Sequence, residues 1–309
     1  MQLAHCLSSG HVDTHRDDYE ESRNVWIGLL YILLGFISIS CNLIVLSAIT
    51  HPLNVHACFK LLTVVVFFDL LNLILLTFVS GTLSLLDANH CNSGIWITTV
   101  GYVMSFTWCA YSAAAEILAF NRLLEFGNKR LCSFLFYGRR CWIWTPLPLI
   151  YFVALNYFKQ PSFYYYDPYG GGWEFFVDDN NNPNFMFFIN NFFKFGFLII
   201  LYSTALFLCT NERTRTPNTR IDSREALSVA ILTNAMTIAY ICLQYLPASS
   251  LRHAPMLGHL TWIVANSATS FVYLMANRSV KRKLGRMMGM AEEIIHVQQL
   301  SANSASASH

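Results

Sequence analysis

Seven stretches of this chain are each long and apolar enough to cross a lipid bilayer as a helix, which removes nearly every soluble architecture from consideration. A helix rises about 1.5 Å per residue and the hydrocarbon layer is about 30 Å thick, so one crossing takes about 20 mostly apolar residues. The stretches are 26–49, 61–86, 95–120, 141–158, 185–209, 226–246 and 256–277, the fourth being the shortest. Between them stand loop-forming residues: His51-Pro52, Asp87-Ala88-Asn89, the polar run 167–183 and Thr214-Arg215-Thr216-Pro217-Asn218. Backbone groups in hydrocarbon need internal partners, so the expectation is an all-α membrane protein, a seven-transmembrane helix bundle without a second domain or internal repeat. The composition, 54% hydrophobic and 12% charged over 309 residues, is too apolar for a soluble domain of this length.

Charge orients the bundle. Of 20 Lys and Arg, only Arg16, Arg23, Lys159 and Arg252 fall on the side that holds the N-terminal tail. The other side collects Lys60, Arg122, Lys129, Arg130, Arg139, Arg140, Arg213, Arg215, Arg220, Arg224, Arg278, Lys281, Arg282, Lys283 and Arg286. Short loops with such an excess face the cytoplasm, which puts the N-terminus outside and the C-terminus inside. The expected organisation is an extracellular tail over 1–25, the bundle over 26–277, a basic amphipathic helix on the membrane surface over 278–290 and a disordered cytoplasmic tail over 291–309. The first 25 residues lack the pattern of a signal peptide, so the first span is expected to act as the targeting signal. The tail serines 301, 304, 306 and 308 are either phosphorylation sites or part of a bland spacer.

This topology leaves two of the nine cysteines, Cys6 and Cys91, in the oxidising compartment, so at most one disulfide is expected: Cys91 pairs with Cys6 or stays unpaired. The segment 159–184 has no cysteine to tie to the third span. The sequon Asn277-Arg278-Ser279 falls on the inner side and is expected to be unglycosylated.

Ionisable side chains inside a span cost about 2.5–3.5 kcal/mol on insertion scales, so Asp69, Glu116 and Lys194 each call for a reason. Asp69 lies at the level of Asn42 in the first span, and the two define a polar core. It is either a water or cation site or a static hydrogen-bonded contact. Lys194 lies about 14 Å below the outer end of the fifth span, where it either meets an anionic ligand or snorkels outward towards a loop acid such as Asp178. Glu116 stands about 9 Å above Arg122 on the third span and faces neighbouring helices.

No phosphate-binding glycine loop, metal-binding histidine pair or nucleophile motif is present, so neither an enzyme, a cofactor nor a metal site is expected; nucleic-acid binding has no basis either. In the outer halves of the spans, Trp96, Tyr102, Phe106, Phe187, Tyr240, Gln244, His259 and Trp262 are placed to line a mostly apolar cavity or, alternatively, to face lipid. Tyr102, Phe106, Lys194, Tyr240, Gln244 and Trp262 are the expected ligand contacts. The loop 163–173, with Tyr164, Tyr165, Tyr166 and Tyr169, forms an aromatic lid in this reading, over glycines that leave it flexible.

At the inner end of the third span the chain reads Glu116-Ile117-Leu118-Ala119-Phe120-Asn121-Arg122. This resembles the inner end of span 3 in nematode serpentine chemoreceptors, class T-like, within the rhodopsin-like seven-transmembrane G-protein-coupled receptors. Also similar are Cys58-Phe59-Lys60-Leu61 with Asp69, Trp108-Cys109, and Tyr273-Leu274-Met275-Ala276-Asn277-Arg278, so the resemblance runs from about residue 26 to 283. It implies a multi-pass plasma-membrane receptor of chemosensory neurons whose partners are a small-molecule chemical ligand, a heterotrimeric G protein and membrane lipids. Asn121, Arg122 and Tyr273 then form the G-protein switch. Asn121 replaces the usual acid beside the arginine, so the resting lock is expected elsewhere, with Glu225 as one choice. Thr269-Ser270-Phe271-Val272-Tyr273 replaces the familiar Asn-Pro-x-x-Tyr segment, and Pro247 in the sixth span lacks a preceding tryptophan. The alternative is a seven-helix transporter or channel using Asp69, Glu116 and Lys194 as a polar path, against which stands the absence of paired broken helices.

Overall fold

The computed structural model describes residues 25–50, 57–88, 93–157, 163–168, 170–176, 185–211, 231–232, 235, 238–239, 242, 254–276, 280–281 and 284–285. The first span is helix α1, Val25–Thr50. The second is composite: α2, Ala57–Leu73, passes into a π-helical stretch, Ile74–Val79, and then into α3, Ser80–Leu85. The third is α4, Ile95–Gly127, seven residues longer than the apolar run suggests, so that Asn121 and Arg122 are still helical. A short helix α5, Lys129–Phe136, and a 3-10 turn, Gly138–Trp144, lead into α6, Leu147–Tyr157. The fifth and seventh spans are α7, Phe185–Asn211, and α8, Ala254–Ala276. The sixth falls almost wholly outside the described residues, where only Ile231, Leu232, Ala235, Ile238, Ala239 and Cys242 are placed, all helical. Cys6, Cys91, Glu225, both chain ends and most of 278–290 also lie outside them.

Two details depart from expectation. The helix of the fourth span begins at Leu147, not near 141, because Pro146 and Pro148 suit a first helical turn, where the missing N–H costs nothing. The Ile150 amide donates to the Pro146 carbonyl at 3.0 Å. Among the described residues the helical bundle also carries a sheet, an antiparallel hairpin of β1, Phe163–Asp167, and β2, Gly172–Phe176. Asp167 accepts the Gly170 amide on its side chain at 3.0 Å and the Gly171 amide on its carbonyl at 2.9 Å. Gly171 has φ 68°, a conformation that glycine adopts without strain, so the glycines shape a defined turn.

The surface is inverted relative to a water-soluble protein. Trp26 is 81% exposed, while Asn42, Asp69, Asn72, Ser112, Lys194, Asn266 and Ser270 are all fully buried. Apolar side chains outside and polar ones inside are what hydrocarbon as solvent selects. The long helix α4 lies at the centre, packing on the second span, α6, α7 and β1, while α8 closes against α1 and the second span. Small residues let α1 and the second span touch: a Cβ added at Gly28 would meet the Gly81 carbonyl oxygen at 2.7 Å.

Gly81 and Gly196 give a paired test. A Cβ at Gly81 would press on Ile32 at 2.8 Å and the Gly28 carbonyl at 2.9 Å, whereas one at Gly196 meets nothing within 4 Å. Gly81→Val is expected to cost about 1–3 kcal/mol through overpacking, and Gly196→Ala to be neutral or to gain about 0.5–1 kcal/mol in a helix interior. Thermal melting of the two purified variants checks this.

Candidate functional site

The polar side chains that the sequence scatters over five spans converge on the middle of the bundle. From α4, Trp108 and Tyr111 lie on one face at a spacing of three, with ring centroids 5.6 Å apart. From α7, Asn191 and Lys194 share the same spacing and face them. The Trp108 Nε1–H donates to Asn191 Oδ1 at 3.1 Å. The Lys194 ammonium sits 4.1 Å from the Trp108 ring centroid and 4.4 Å from that of Tyr111. Its side chain is fully buried and forms no hydrogen bond with any of the described residues. It therefore points into the bundle and does not snorkel outward. Trp262 of α8 completes the aromatic wall edge-on to Trp108, at 5.4 Å and 81°.

Below this wall lies the carboxyl layer. Asp69 of α2 is fully buried and faces Thr269 of α8. Glu116 of α4 and Asp69 are the acidic groups whose charge acts on Lys194. Among the described residues neither oxygen of Asp69, nor Oε1 of Glu116, has a hydrogen-bond partner. Beside them some neutral polar groups are tied: Ser270 donates to Asn42 Oδ1 at 2.7 Å, and Asn42 donates to the Ser38 carbonyl at 3.0 Å. Thr107 donates to Asn72 Oδ1 at 2.7 Å. The pairing of Asn42 with the seventh span was not legible, since only the fold brings residues 228 positions apart together.

Above the aromatic wall the hairpin plugs the bundle. Tyr166 and Trp173 are a cross-strand pair with rings 5.4 Å apart, both buried. Burial is the main reason the Tyr166 phenol titrates above its ordinary range, with Ser84 drawing it down and Asp167 adding to the rise. It shares a hydrogen bond with the Ser84 hydroxyl. Trp173 donates to Ser80 Oγ at 2.8 Å, and Ser80 donates to the Leu75 carbonyl at 3.0 Å. Tyr31 of α1 donates to the Gly171 carbonyl and packs on His259 of α8 with centroids 4.5 Å apart. His259 Nε2 lies 2.7 Å from the Leu76 carbonyl, which can only accept, so Nε2 carries the proton. Leu75 and Leu76 both belong to the π-helical stretch, whose wider turn leaves carbonyls open to side chains.

The predicted contacts divide accordingly. Lys194 and Trp262 both adjoin Trp108 at the centre, with His259 above them. Tyr102 is 36% exposed and Trp96 46%, on the lipid-facing side of α4, and Phe106 stacks edge-on against Phe152 of α6 at 5.0 Å. Tyr240, Gln244 and the side chain of Phe187 lie outside the described residues. Trp108, Tyr111 and Asn191 were missed as a unit, although the spacings 108/111 and 191/194 were there to be read.

At the opposite end, Arg122 pairs with Glu125, one helical turn along α4, at 3.1 Å. Asn121 donates instead to Cys132 Sγ of α5 at 3.5 Å, and the thiol reaches the Asn121 carbonyl at 3.9 Å. Burial and then Glu125 push the Cys132 thiol up, with Arg122 opposing, which keeps it protonated as that contact requires. Asn128 caps α5 by accepting the Leu131 amide at 3.1 Å. Tyr273 of α8, Tyr202 of α7 and Cys58 of α2 all lie within reach of the Arg122 charge, and Tyr273 is buried. The sequence-predicted trio of Asn121, Arg122 and Tyr273 thus gathers at one end. The acid missing at position 121 has a counterpart at 125.

Trp173→Phe removes the bond to Ser80 and exchanges the buried indole for a smaller aromatic ring, and is expected to lower stability by about 1–3 kcal/mol. Phe134→Leu, at an exposed site on α5, should leave the melting temperature within error.

No curated protein matches the chain in sequence. Residues 5–297 match the family model described as serpentine type 7TM GPCR chemoreceptor Srt, which covers nearly the whole chain. A seven-span bundle with an apolar exterior, a polar heart and a capped end is the multi-pass membrane protein such a match requires, and this chain belongs to the Srt family of serpentine seven-transmembrane chemoreceptors.

Proposed function

We propose that the protein is a chemosensory G-protein-coupled receptor of the plasma membrane, oriented with the hairpin end outside and the Arg122 end in the cytoplasm. The observation that carries this reading is the pairing of two distinct constellations on one helix, α4: the aromatic and lysine cluster at Trp108 and Tyr111, and the arginine cluster at Arg122. The first has the chemistry of a small-molecule site, mostly apolar with a few convergent polar groups, under a plug that a ligand must pass. The ligand is small and largely apolar, contacting Trp108, Lys194 and Trp262. The second is a cationic site beside the basic loops, suited to a G protein. The excess of Lys and Arg on that side supports the cytoplasmic assignment. A cell of the chemosensory system is the natural setting for this family.

In this reading Glu125 holds Arg122 at rest. An ion pair with one partner 44% exposed is worth about 0.2–1 kcal/mol, so it biases the equilibrium without locking it. Glu125→Gln should therefore raise ligand-independent nucleotide exchange by about 1.4- to fivefold. Arg122→Ala, at matched surface level, should abolish ligand-evoked exchange. The direct test screens volatile small molecules for nucleotide exchange in membranes holding the receptor and a G protein, alongside solute and ion flux through the same protein in liposomes. Exchange without flux is the expected result; flux without exchange would replace the receptor reading with the transporter one.

A further inference from the structure

We propose that Lys194 is a built-in occupant of an ammonium cage, walled by Trp108 and Tyr111 and flanked by the carboxyl groups of Glu116 and Asp69, and that emptying the cage creates a binding site for a small primary alkylammonium ion. An ammonium ordinarily seeks three hydrogen-bond acceptors. That of Lys194 has none among the described residues and lies within cation–π range of two ring faces. The walls do not depend on the lysine. Trp108 is fixed through its indole N–H to Asn191 and by the edge of Trp262, and Tyr111 stacks on Trp108.

Charge decides the class of guest. The two ring faces present negative π density, and Glu116 and Asp69 are the acidic groups that act on Lys194. A cage of rings and carboxyl groups offers partners to an ammonium guest and none to a carboxylate. Size decides the guest itself. Lys194→Ala deletes three methylenes and the nitrogen, the heavy atoms of n-propylammonium. The consequence for the native protein is that a ligand entering from the hairpin side meets an aromatic wall already satisfied by a cation, so it competes with Lys194 for Trp108 and Tyr111. The inference rests on the bundle site described above and does not depend on coupling at Arg122.

The test is thermal melting of purified Lys194→Ala with n-propylammonium, and with 1-propanol and propionate as neutral and anionic guests of similar size. Saturable stabilisation by n-propylammonium is expected, about tenfold tighter than by 1-propanol, and none by propionate. The native protein and Lys194→Met, whose side chain fills the cage without a charge, should show no response. Equal stabilisation by 1-propanol, an equal response in the native protein or in Lys194→Met, or no response in folded Lys194→Ala would overturn the proposal. If Lys194→Ala fails to reach the cell surface, n-propylammonium in the growth medium should restore it while 1-propanol should not; failure to restore it counts against the cage. Because every readout is binding or stability, this result and that of the nucleotide-exchange test can fail independently.

Discussion

A charge in hydrocarbon must be answered from within the protein, and much of this bundle is arranged around that demand. Lys194 is fully buried at mid-height, and what meets its ammonium is two ring faces. Holding those rings in place recruits Asn191 and Trp262, and the neighbouring carboxyls bring in the second and seventh spans. One expensive side chain therefore ties together α2, α4, α7 and α8. The same constraint acts on the backbone. Where the second span widens into a π-helix, its released carbonyls are taken up by His259 and Ser80, and those residues in turn anchor the hairpin through Tyr31 and Trp173.

This arrangement gives the two ends of α4 different characters. Near the hairpin its buried face is aromatic and closely packed, and the hydrogen bonds run between side chains of different spans. Near Arg122 the ion pair and side-chain hydrogen bonds are local: an ion pair one turn apart, an amide to a neighbouring thiol, and a capped short helix. Local, partly exposed contacts open at low free-energy cost, while interlocked buried ones open together or not at all.

Much of this architecture was legible in the chain. Length and apolarity placed the first, second, fifth and seventh spans and the outer end of the third close to their observed bounds, and the rarity of charge in hydrocarbon singled out Asp69, Glu116 and Lys194. The start of α6 was misplaced because apolar content alone does not register Pro146 and Pro148. The hairpin was read only as a loose aromatic lid, because an alternating strand pattern a few residues long is weak next to a glycine run, although Asp167 and Gly171 encode its turn. Tyr102 and Phe106 were grouped with Lys194 because depth along a span can be counted from sequence but the facing direction cannot. The pairings of Arg122 with Glu125 and of Trp108 with Tyr111 were present in the sequence as i, i+3 spacings, the first of them hidden because the helix runs on to Gly127, past the end of the apolar run.

The arrangement of the bundle requires Lys194 to be sealed inside it beneath the hairpin. Reductive methylation of the receptor in lipid nanodiscs, followed residue by residue by mass spectrometry, tests this directly. Exposed Lys129 is expected to be modified rapidly and Lys194 not at all in the native protein, and Lys194 to become reactive once Trp173→Ala loosens the plug. Modification of Lys194 in the native protein at the rate of Lys129 would contradict this arrangement.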